Sequence, residues 1–190
     1  KKLPFSETDG ADHPISIYAV TKKTNELMAH TYSKLFGLAT TGIRFFTVYG
    51  PFGRPDMALF KFIKSTINKE PIDVFNGGKM RRDFTYVDDI VAGVTRCLAL
   101  PPKPVGRLAP YAVYNLGNSR SEELMDVVSI IEKEAGRKAV INFKPMQLGD
   151  VIETCADITD ATADFGFKPK TDIAEGLPAF ISWYRDFYDV

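Results

Sequence analysis

Hydrophobic residues recur along the chain with two alternating periods, one typical of amphipathic helices and the other of buried strands. From about residue 14 to residue 36, apolar positions lie three and four residues apart, which predicts one long helix that ends at Gly37. Residues 39–48 form a run rich in β-branched and aromatic side chains, which predicts a buried strand. The alternation continues to the C-terminus, so the pattern indicates an α/β fold with at least part of a parallel sheet.

The same two patterns predict nine further elements. Helices are predicted at residues 57–68, 88–100, 121–135, 159–164 and 173–188, and strands at residues 72–75, 82–87, 112–116 and 140–143. Four segments without periodicity separate some of them: a glycine- and proline-rich loop at 49–56, a turn at 76–78, a proline-rich connector at 101–110 and a polar loop at 145–154. Ligands of open α/β sheets bind beyond the carboxyl ends of strands, so the loop at 49–56 is a candidate binding segment.

Composition and charge narrow the classes of function. The chain has 190 residues, of which 45% are hydrophobic, enough for one globular domain or one and a part. Its 24 basic and 24 acidic residues give a formal net charge of zero, which argues against nucleic acid or an acidic membrane as a partner. No apolar run has the length of a membrane span. Two scattered cysteines and two scattered histidines predict no metal site and favour a reducing compartment.

Tyr18 and Lys22 stand four residues apart within the first predicted helix, and therefore on one face. A neighbouring ammonium stabilises a phenolate and lowers the tyrosine pKa from about 10 towards neutral pH. A tyrosine of that kind can take a proton from a substrate hydroxyl and return it. The spacing also arises by chance on many helices, so the pair alone does not indicate catalysis.

Two further stretches carry candidate binding residues. Thr47 lies near the end of the strand at 39–48 and Arg54 lies in the loop that follows, where a ligand could meet both. The sequence is equally compatible with a buried strand residue and a solvated arginine that bind no ligand. Residues 81–89 contain two arginines and three acids. A guanidinium suits phosphate through bidentate hydrogen bonds, but the charges alone favour a salt-bridged helix start.

Five blocks in this order resemble the extended short-chain dehydrogenase/reductase superfamily, specifically its nucleotide-sugar epimerases and dehydratases. They are Tyr18-x-x-x-Lys22, the run RFFTVYGPFGRPDM from Arg44 to Met57, the run RDFTYVDDI from Arg82 to Ile90, Tyr114-Asn-Leu-Gly-Asn118, and Pro145-Met-Gln-x-Gly-Asp150. The first block marks only the superfamily, whereas the second and third are more specific. The resemblance covers nearly the whole chain and is greatest to UDP-glucuronate 4-epimerases, because Thr47 stands where many relatives have asparagine.

The resemblance implies a Rossmann-type parallel sheet with a smaller α/β substrate-binding domain, and NAD as cofactor. It also implies C4 epimerisation of UDP-glucuronate to UDP-galacturonate through a 4-keto intermediate. Tyr18 would be the acid/base at the sugar 4-hydroxyl, Lys22 would bind the nicotinamide ribose, and Phe45 would lie near the nicotinamide.

The family's substrate-binding positions also carry over residue by residue. Thr47 and Arg54 would face the sugar and its carboxylate, and Arg82 would face the diphosphate. The remaining three are Phe75, which would pack on the uracil, and Gln147 and Asp150, which would reach the uridine ribose. Several relatives have an arginine where Gln147 stands.

Two alternatives stay open. A UDP-glucuronate decarboxylase or a dTDP-glucose 4,6-dehydratase shares the same ancestry, and a truncated module could bind a nucleotide sugar without chemistry. The family's Gly-x-x-Gly-x-x-Gly turn is absent from the sequence. We therefore expect residues 1–190 to be the C-terminal part of an epimerase that lacks the N-terminal NAD-binding half, and to be inactive alone. The family further implies a cytoplasmic homodimer formed through the Tyr18–Lys22 helix.

Overall fold

A computed structural model of the protein describes residues 2–190. Helices and strands alternate along these residues as the hydrophobic pattern predicts. The helices are α1 (Ile17–Phe36), α2 (Ala58–Asn68), α3 (Val87–Ala99), α4 (Leu124–Ala135), α5 (Thr159–Phe165) and α6 (Ile173–Tyr188). The strands are β1 (Thr40–Phe45), β2 (Thr47–Tyr49), β3 (Pro71–Phe75), β4 (Arg81–Arg82), β5 (Phe84–Tyr86), β6 (Tyr111–Leu116), β7 (Glu122–Glu123) and β8 (Val140–Lys144).

Three parallel pairs and one antiparallel pair of strands form the sheets. Strand β1 pairs with β6, β2 with β5, and β3 with β8, all in parallel, while β4 and β7 are antiparallel. Crossover helices connect the parallel partners, as parallel pairing requires. The α/β class inferred from the sequence is therefore confirmed in the parallel pairs of the described residues.

The strand predicted at residues 39–48 is two strands that change partner at Phe46. The amide of Phe46 donates to the carbonyl of Leu116 in β6 (3.2 Å), whereas the amide of Thr47 donates to the carbonyl of Asp83 beside β5 (3.1 Å). The strand predicted at residues 82–87 is likewise divided at Asp83. Both single-strand predictions were wrong at these points, and the breaks place Thr47 in the β2–β5 pair and Arg82 in the β4–β7 pair.

Helix α1 begins and ends with well-formed caps. The Ser16 side chain accepts a hydrogen bond from the amide of Ala19 (3.2 Å), and Gly37 ends the helix with a φ of 67°. This left-handed conformation favours glycine, so the predicted stop at Gly37 is confirmed. The helix begins three residues later than the predicted start at residue 14, because Ser16 satisfies the first-turn amides.

Two hydrophobic clusters form the interior. The larger packs α2, α4 and α6 against β3, with Ile63, Val74, Val127 and Leu177 fully buried, and the smaller packs α3 and α5 around Leu116 of β6. Helix α1 stands apart, since Ser33 is its one buried residue among those described. Within residues 2–190, no helix is long and apolar enough to cross a membrane.

Candidate active site

Tyr18 and Lys22 lie one turn apart on the N-terminal half of α1. The Lys22 Nζ lies 5.2 Å from the centre of the Tyr18 ring, and Tyr18 is 68% exposed. The ammonium stands over the ring face, a cation–π arrangement that keeps a positive charge beside the phenol.

Arg54 lies in the loop at 49–56 and is paired with Asp56 of the same loop. Its Nε and Nη2 donate to the two carboxylate oxygens of Asp56, at 3.0 and 2.5 Å. The hydrogen bonds to Asp56 and the Asp56 charge raise the pKa of Arg54.

A cavity of about 820 Å³ contains five of the six substrate-binding residues expected from the sequence. They come from four separate segments and are Thr47, Phe75, Arg82, Gln147 and Asp150. Arg54 is the exception, because its guanidinium is turned towards Asp56 and lines a smaller neighbouring cleft. Thr47 borders both spaces and so connects Arg54 with the cavity.

Arg82 is held in the cavity wall by three acceptors. Its Nη1 donates to the carbonyl oxygens of Arg81 (2.9 Å) and Ile152 (3.0 Å), and its Nη2 donates to Oδ1 of Asp150 (2.8 Å). These contacts fix the plane of a guanidinium that can offer bidentate hydrogen bonds to an anion. The sequence blocks assigned Arg82 and Asp150 to different parts of a ligand, but the fold pairs them with each other.

Phe45 ends β1 and is 53% exposed, outside the lining of the cavity. Phe75 ends β3 and belongs to that lining. The two phenylalanines therefore occupy different surroundings, Phe45 at the end of the β1–β6 pair and Phe75 at the end of the β3–β8 pair.

The cavity also contains polar residues that sequence reasoning missed. Lys61 comes from α2, Asp73 from β3, and Asn142 and Lys144 from β8. The sequence of β3 carried a signal for Asp73. Ile72 and Val74 are buried on one face of the strand, so the residues that alternate with them lie on the opposite face. This alternation puts Asp73 on the same strand face as Phe75, as the period of a strand dictates.

Asp83 was also missed, although it is fully buried beside Arg82. Its carboxylate accepts hydrogen bonds from the amides of Asn118 (2.7 Å), Ser119 (3.0 Å) and Ala156 (2.9 Å), and from the Thr85 hydroxyl (3.2 Å). Burial raises the pKa of Asp83, and the four donors oppose that rise. Asp83 thus joins three chain segments behind the cavity wall.

The groups that could contact a cofactor are exposed on α1 and at the end of β1. Tyr18 and Lys22 on α1 and Phe45 on β1 offer a phenol, an ammonium and a flat apolar ring. This donor set fits the nicotinamide riboside half of a dinucleotide. No group of three or more histidine, cysteine, aspartate or glutamate side chains within residues 2–190 is arranged to hold a metal ion.

Comparison with protein families gives one match that covers most of the chain. The model of the NAD dependent epimerase/dehydratase family matches residues 1–117. A probable UDP-glucuronate 4-epimerase of Rhizobium meliloti (strain 1021) is 46% identical over 200 residues, which cover 99% of this chain and 59% of that protein. Protein CapI of Staphylococcus aureus is 52% identical over 196 residues, covering 97% of this chain and 59% of CapI. The chain spans about three fifths of the length of these relatives.

Solved structures agree with the sequence relatives. The UDP-glucuronic acid 4-epimerase from Bacillus cereus, in complex with UDP-glucuronic acid and NAD, superposes with a TM-score of 0.87 at 34% identity, covering 99% of this chain and 58% of that one. MoeE5 in complex with UDP-glucuronic acid and NAD gives a TM-score of 0.88 at 32% identity, covering 98% of this chain and 61% of that one. The family resemblance and the fold class inferred from the sequence are confirmed.

Proposed function

The chain belongs to the NAD-dependent epimerase/dehydratase family, and we propose that it forms the C-terminal part of an enzyme that converts UDP-glucuronate to UDP-galacturonate by epimerisation at C4. The observation that carries this proposal is the position of Thr47 between the Arg54 cleft and the cavity of Arg82. One ligand could then place its sugar carboxylate in the Arg54 cleft and its diphosphate beside Arg82 in the cavity. The relatives named for UDP-glucuronate support the choice of substrate.

Tyr18 is the proposed acid/base at the sugar 4-hydroxyl. It removes the hydroxyl proton as the C4–H bond breaks and returns a proton to the oxygen when that bond forms again. Lys22, one turn away, keeps positive charge beside the phenol in both directions. NAD, when bound, supplies the reversible hydride acceptor for C4, with Tyr18, Lys22 and Phe45 as the residues that would contact its nicotinamide riboside half.

Thr47 and Arg54 are the proposed ligands of the sugar carboxylate. Oxidation at C4 makes a uronic acid a β-keto acid, which loses carbon dioxide readily. An epimerase must therefore keep the carboxylate out of the orientation that favours this loss. The Thr47 hydroxyl and the Arg54 guanidinium can do so by direction and by charge.

The remaining cavity residues are assigned to the nucleotide. Arg82 binds the diphosphate, because its guanidinium plane is fixed and lies in the cavity wall. Phe75 packs on the uracil, and Gln147 and Asp150 reach the ribose hydroxyls. A cavity of about 820 Å³ falls within the usual range for small-molecule sites.

A homodimer formed through α1 is part of the proposal. The helix exposes large apolar side chains along its length, including Ile17, Leu27, Leu35 and Phe36. Contiguous exposed apolar surface of this kind commonly marks a protein interface. A cytoplasmic location is proposed because Cys97 and Cys155 are both unpaired in the structure.

The proposal is tested with the full-length natural protein that contains this chain. The purified protein is incubated with NAD and UDP-glucuronate, and the products are separated by anion-exchange chromatography and weighed by mass spectrometry. We expect UDP-galacturonate from the wild type, none from Tyr18→Phe, and none from residues 1–190 alone. A UDP-pentose as main product would identify a decarboxylase, and binding without any product would identify a non-catalytic module.

A further inference from the structure

A bidentate ion pair joins helix α1 to strand β1. The Arg44 Nε donates to Oε1 of Glu26 (2.6 Å) and the Arg44 Nη2 donates to Oε2 (2.9 Å). Both side chains are largely buried. Two parallel N–H···O bonds fix the direction of both groups as well as their separation.

Besides this ion pair, the His30 ring of α1 packs edge-on against Tyr111 of β6, with ring centres 5.2 Å apart. Within residues 2–190, Ser33 is the one buried residue of the helix. The second polar contact with the pair also ends at Glu26, whose carbonyl accepts a hydrogen bond from the Tyr111 hydroxyl (3.2 Å). Side-chain hydrogen bonds from both strands thus meet at one residue of the helix.

Glu26 lies on the same helical stripe as the proposed acid/base. Tyr18, Lys22 and Glu26 are each four residues apart, so they follow one face. Eight residues of helix measure about 12 Å, so a tilt of about 5° at Glu26 moves Tyr18 by about 1 Å. A displacement of that size is enough to slow a positioned acid/base about a hundredfold.

The other end of the ion pair is anchored as well. The Arg44 Nη1 donates to the carbonyl of Glu7 (3.2 Å), and the Glu7 carboxylate accepts from the amide of Asn115 in β6 (2.7 Å). Arg44 also immediately precedes Phe45, the residue assigned to the nicotinamide. The hydrogen bond from Arg44 lowers the pKa of Glu26, so the pair stays ionised at neutral pH.

We propose that Glu26 and Arg44 are positioning residues that hold Tyr18 at a fixed place relative to the end of β1, where cofactor and substrate meet. This inference rests on the proposed function. Neither residue takes part in proton transfer, and neither lines the cavity. Their effect is therefore on the rate of the proton-transfer step and little on the binding of the nucleotide.

The test uses the full-length protein with NAD and two variants of the pair. Glu26→Gln keeps the size of the side chain but removes its charge, and Arg44→Lys keeps the charge but removes the fork. We expect kcat to fall at least about tenfold in Glu26→Gln, while KM for UDP-glucuronate changes less than about threefold. The solvent deuterium isotope effect on kcat rises, because proton transfer by a displaced Tyr18 becomes slower than the other steps.

Glu132→Gln is the matched control. Glu132 of α4 also binds two donors, Lys138 Nζ (2.6 Å) and the amide of Ala139 (3.0 Å), but it lies outside the lining of the cavity. We expect its kcat and isotope effect to equal those of the wild type. A fall in kcat in Glu26→Gln with an unchanged isotope effect would show a structural role only and overturn the inference. If Glu26→Gln does not fold, the kcat and isotope effect of Arg44→Lys are compared with those of the wild type, and the same two outcomes apply.

A second readout separates this inference from the proposed function. Hydrogen exchange over residues 17–25 does not depend on turnover, and we expect exchange there at least about tenfold faster in Glu26→Gln than in Glu132→Gln. If the wild type does not epimerise UDP-glucuronate but the exchange difference appears, the proposed function fails and the positioning of α1 stands. Equal exchange in the two variants would contradict the positioning role whatever the substrate is.

Discussion

Arg82 donates a 2.8 Å hydrogen bond to Asp150, so the guanidinium in the cavity wall has a counter-ion from the loop at 145–154. The carboxylate of Asp150 also accepts from the amide of Val151 (2.8 Å), which holds it against its own backbone. Both charged groups line the cavity. A diphosphate that approaches Arg82 therefore meets an attractive and a repulsive charge in the same place.

Removal of that repulsion should strengthen binding of a small anion. In the full-length protein, Asp150→Asn should bind inorganic pyrophosphate about three- to tenfold more tightly than the wild type, because roughly 1 kcal/mol of like-charge repulsion is lost. Arg82→Lys should weaken pyrophosphate binding by a similar or larger factor, since the fork is lost. Isothermal titration calorimetry at fixed ionic strength measures both, and weaker binding by Asp150→Asn would contradict the paired-charge interpretation.

Arg54 should control the fate of the oxidised sugar. Arg54→Ala should raise the ratio of decarboxylated product to epimer, because the sugar carboxylate loses its charged ligand and rotates more freely. Arg54→Lys, which keeps the charge but not the planar fork, should give an intermediate ratio. Anion-exchange separation of the nucleotide products, with each peak identified by mass spectrometry, gives the ratio, and an equal ratio in Arg54→Ala and the wild type would refute this role.

Asp83 should be a large contributor to stability. Asp83→Ala leaves the amides of Asn118, Ser119 and Ala156 without their common buried acceptor, and should lower the free energy of unfolding by about 3 kcal/mol or more. The partly buried Asp157 serves as the control. Asp157→Asn keeps an oxygen that can accept from Thr159 and should change the free energy of unfolding by less than about 1 kcal/mol. Urea unfolding measures both variants, and similar small losses would show that the three amides have other acceptors.

The Glu26–Arg44 pair predicts a specific dependence of stability on pH. Hydrogen bonding and charge from Arg44, and a smaller effect of Lys23, lower the pKa of Glu26 from its ordinary 4.5. Because the folded state prefers the ionised form, the contribution is fully present above about pH 4.5 and is lost as the pH falls through the lowered pKa. The Tyr111 hydroxyl also faces the pair, and burial raises the pKa of Tyr111, so this phenol stays neutral between about pH 5 and 8.

This dependence is measured as a difference between two proteins. The free energy of unfolding of the wild type minus that of Glu26→Gln should be constant between about pH 5 and 8 and should shrink below about pH 4.5. Taking the difference removes the contribution of other titrating groups. If this difference in free energy of unfolding grows as the pH falls, the ionised form of Glu26 does not stabilise the folded state.

The hydrophobic pattern predicted where most helices and strands lie, and the reasons are local. Gly37 ends α1 because its φ of 67° suits glycine, and Ile72 and Val74 alternate with exposed residues as one strand face requires. The breaks at Phe46 and Asp83 were not predictable in this way. At each break the chain passes from one partner strand to another, and the choice of partner depends on chain segments far away in the sequence.

The candidate site was also predictable only in part. The resemblance gathered five substrate-binding residues that the fold brings to one cavity. It did not give the pairing of Arg54 with Asp56 or of Arg82 with Asp150, because side-chain partners within a charged run follow from tertiary geometry. Asp83 was missed for a related reason, since an aspartate between an arginine and a helix start resembles a solvated residue.

The most direct test of the proposed chemistry uses UDP-glucuronate that carries deuterium at C4. The full-length protein with NAD should produce UDP-galacturonate that retains the deuterium at C4, because the hydride that leaves the sugar returns to the same carbon. Proton and deuterium nuclear magnetic resonance of the product gives both the configuration and the label. Epimer without deuterium, or with solvent hydrogen at C4, would contradict oxidation and reduction at that carbon. Absence of any epimer would contradict the proposed activity itself.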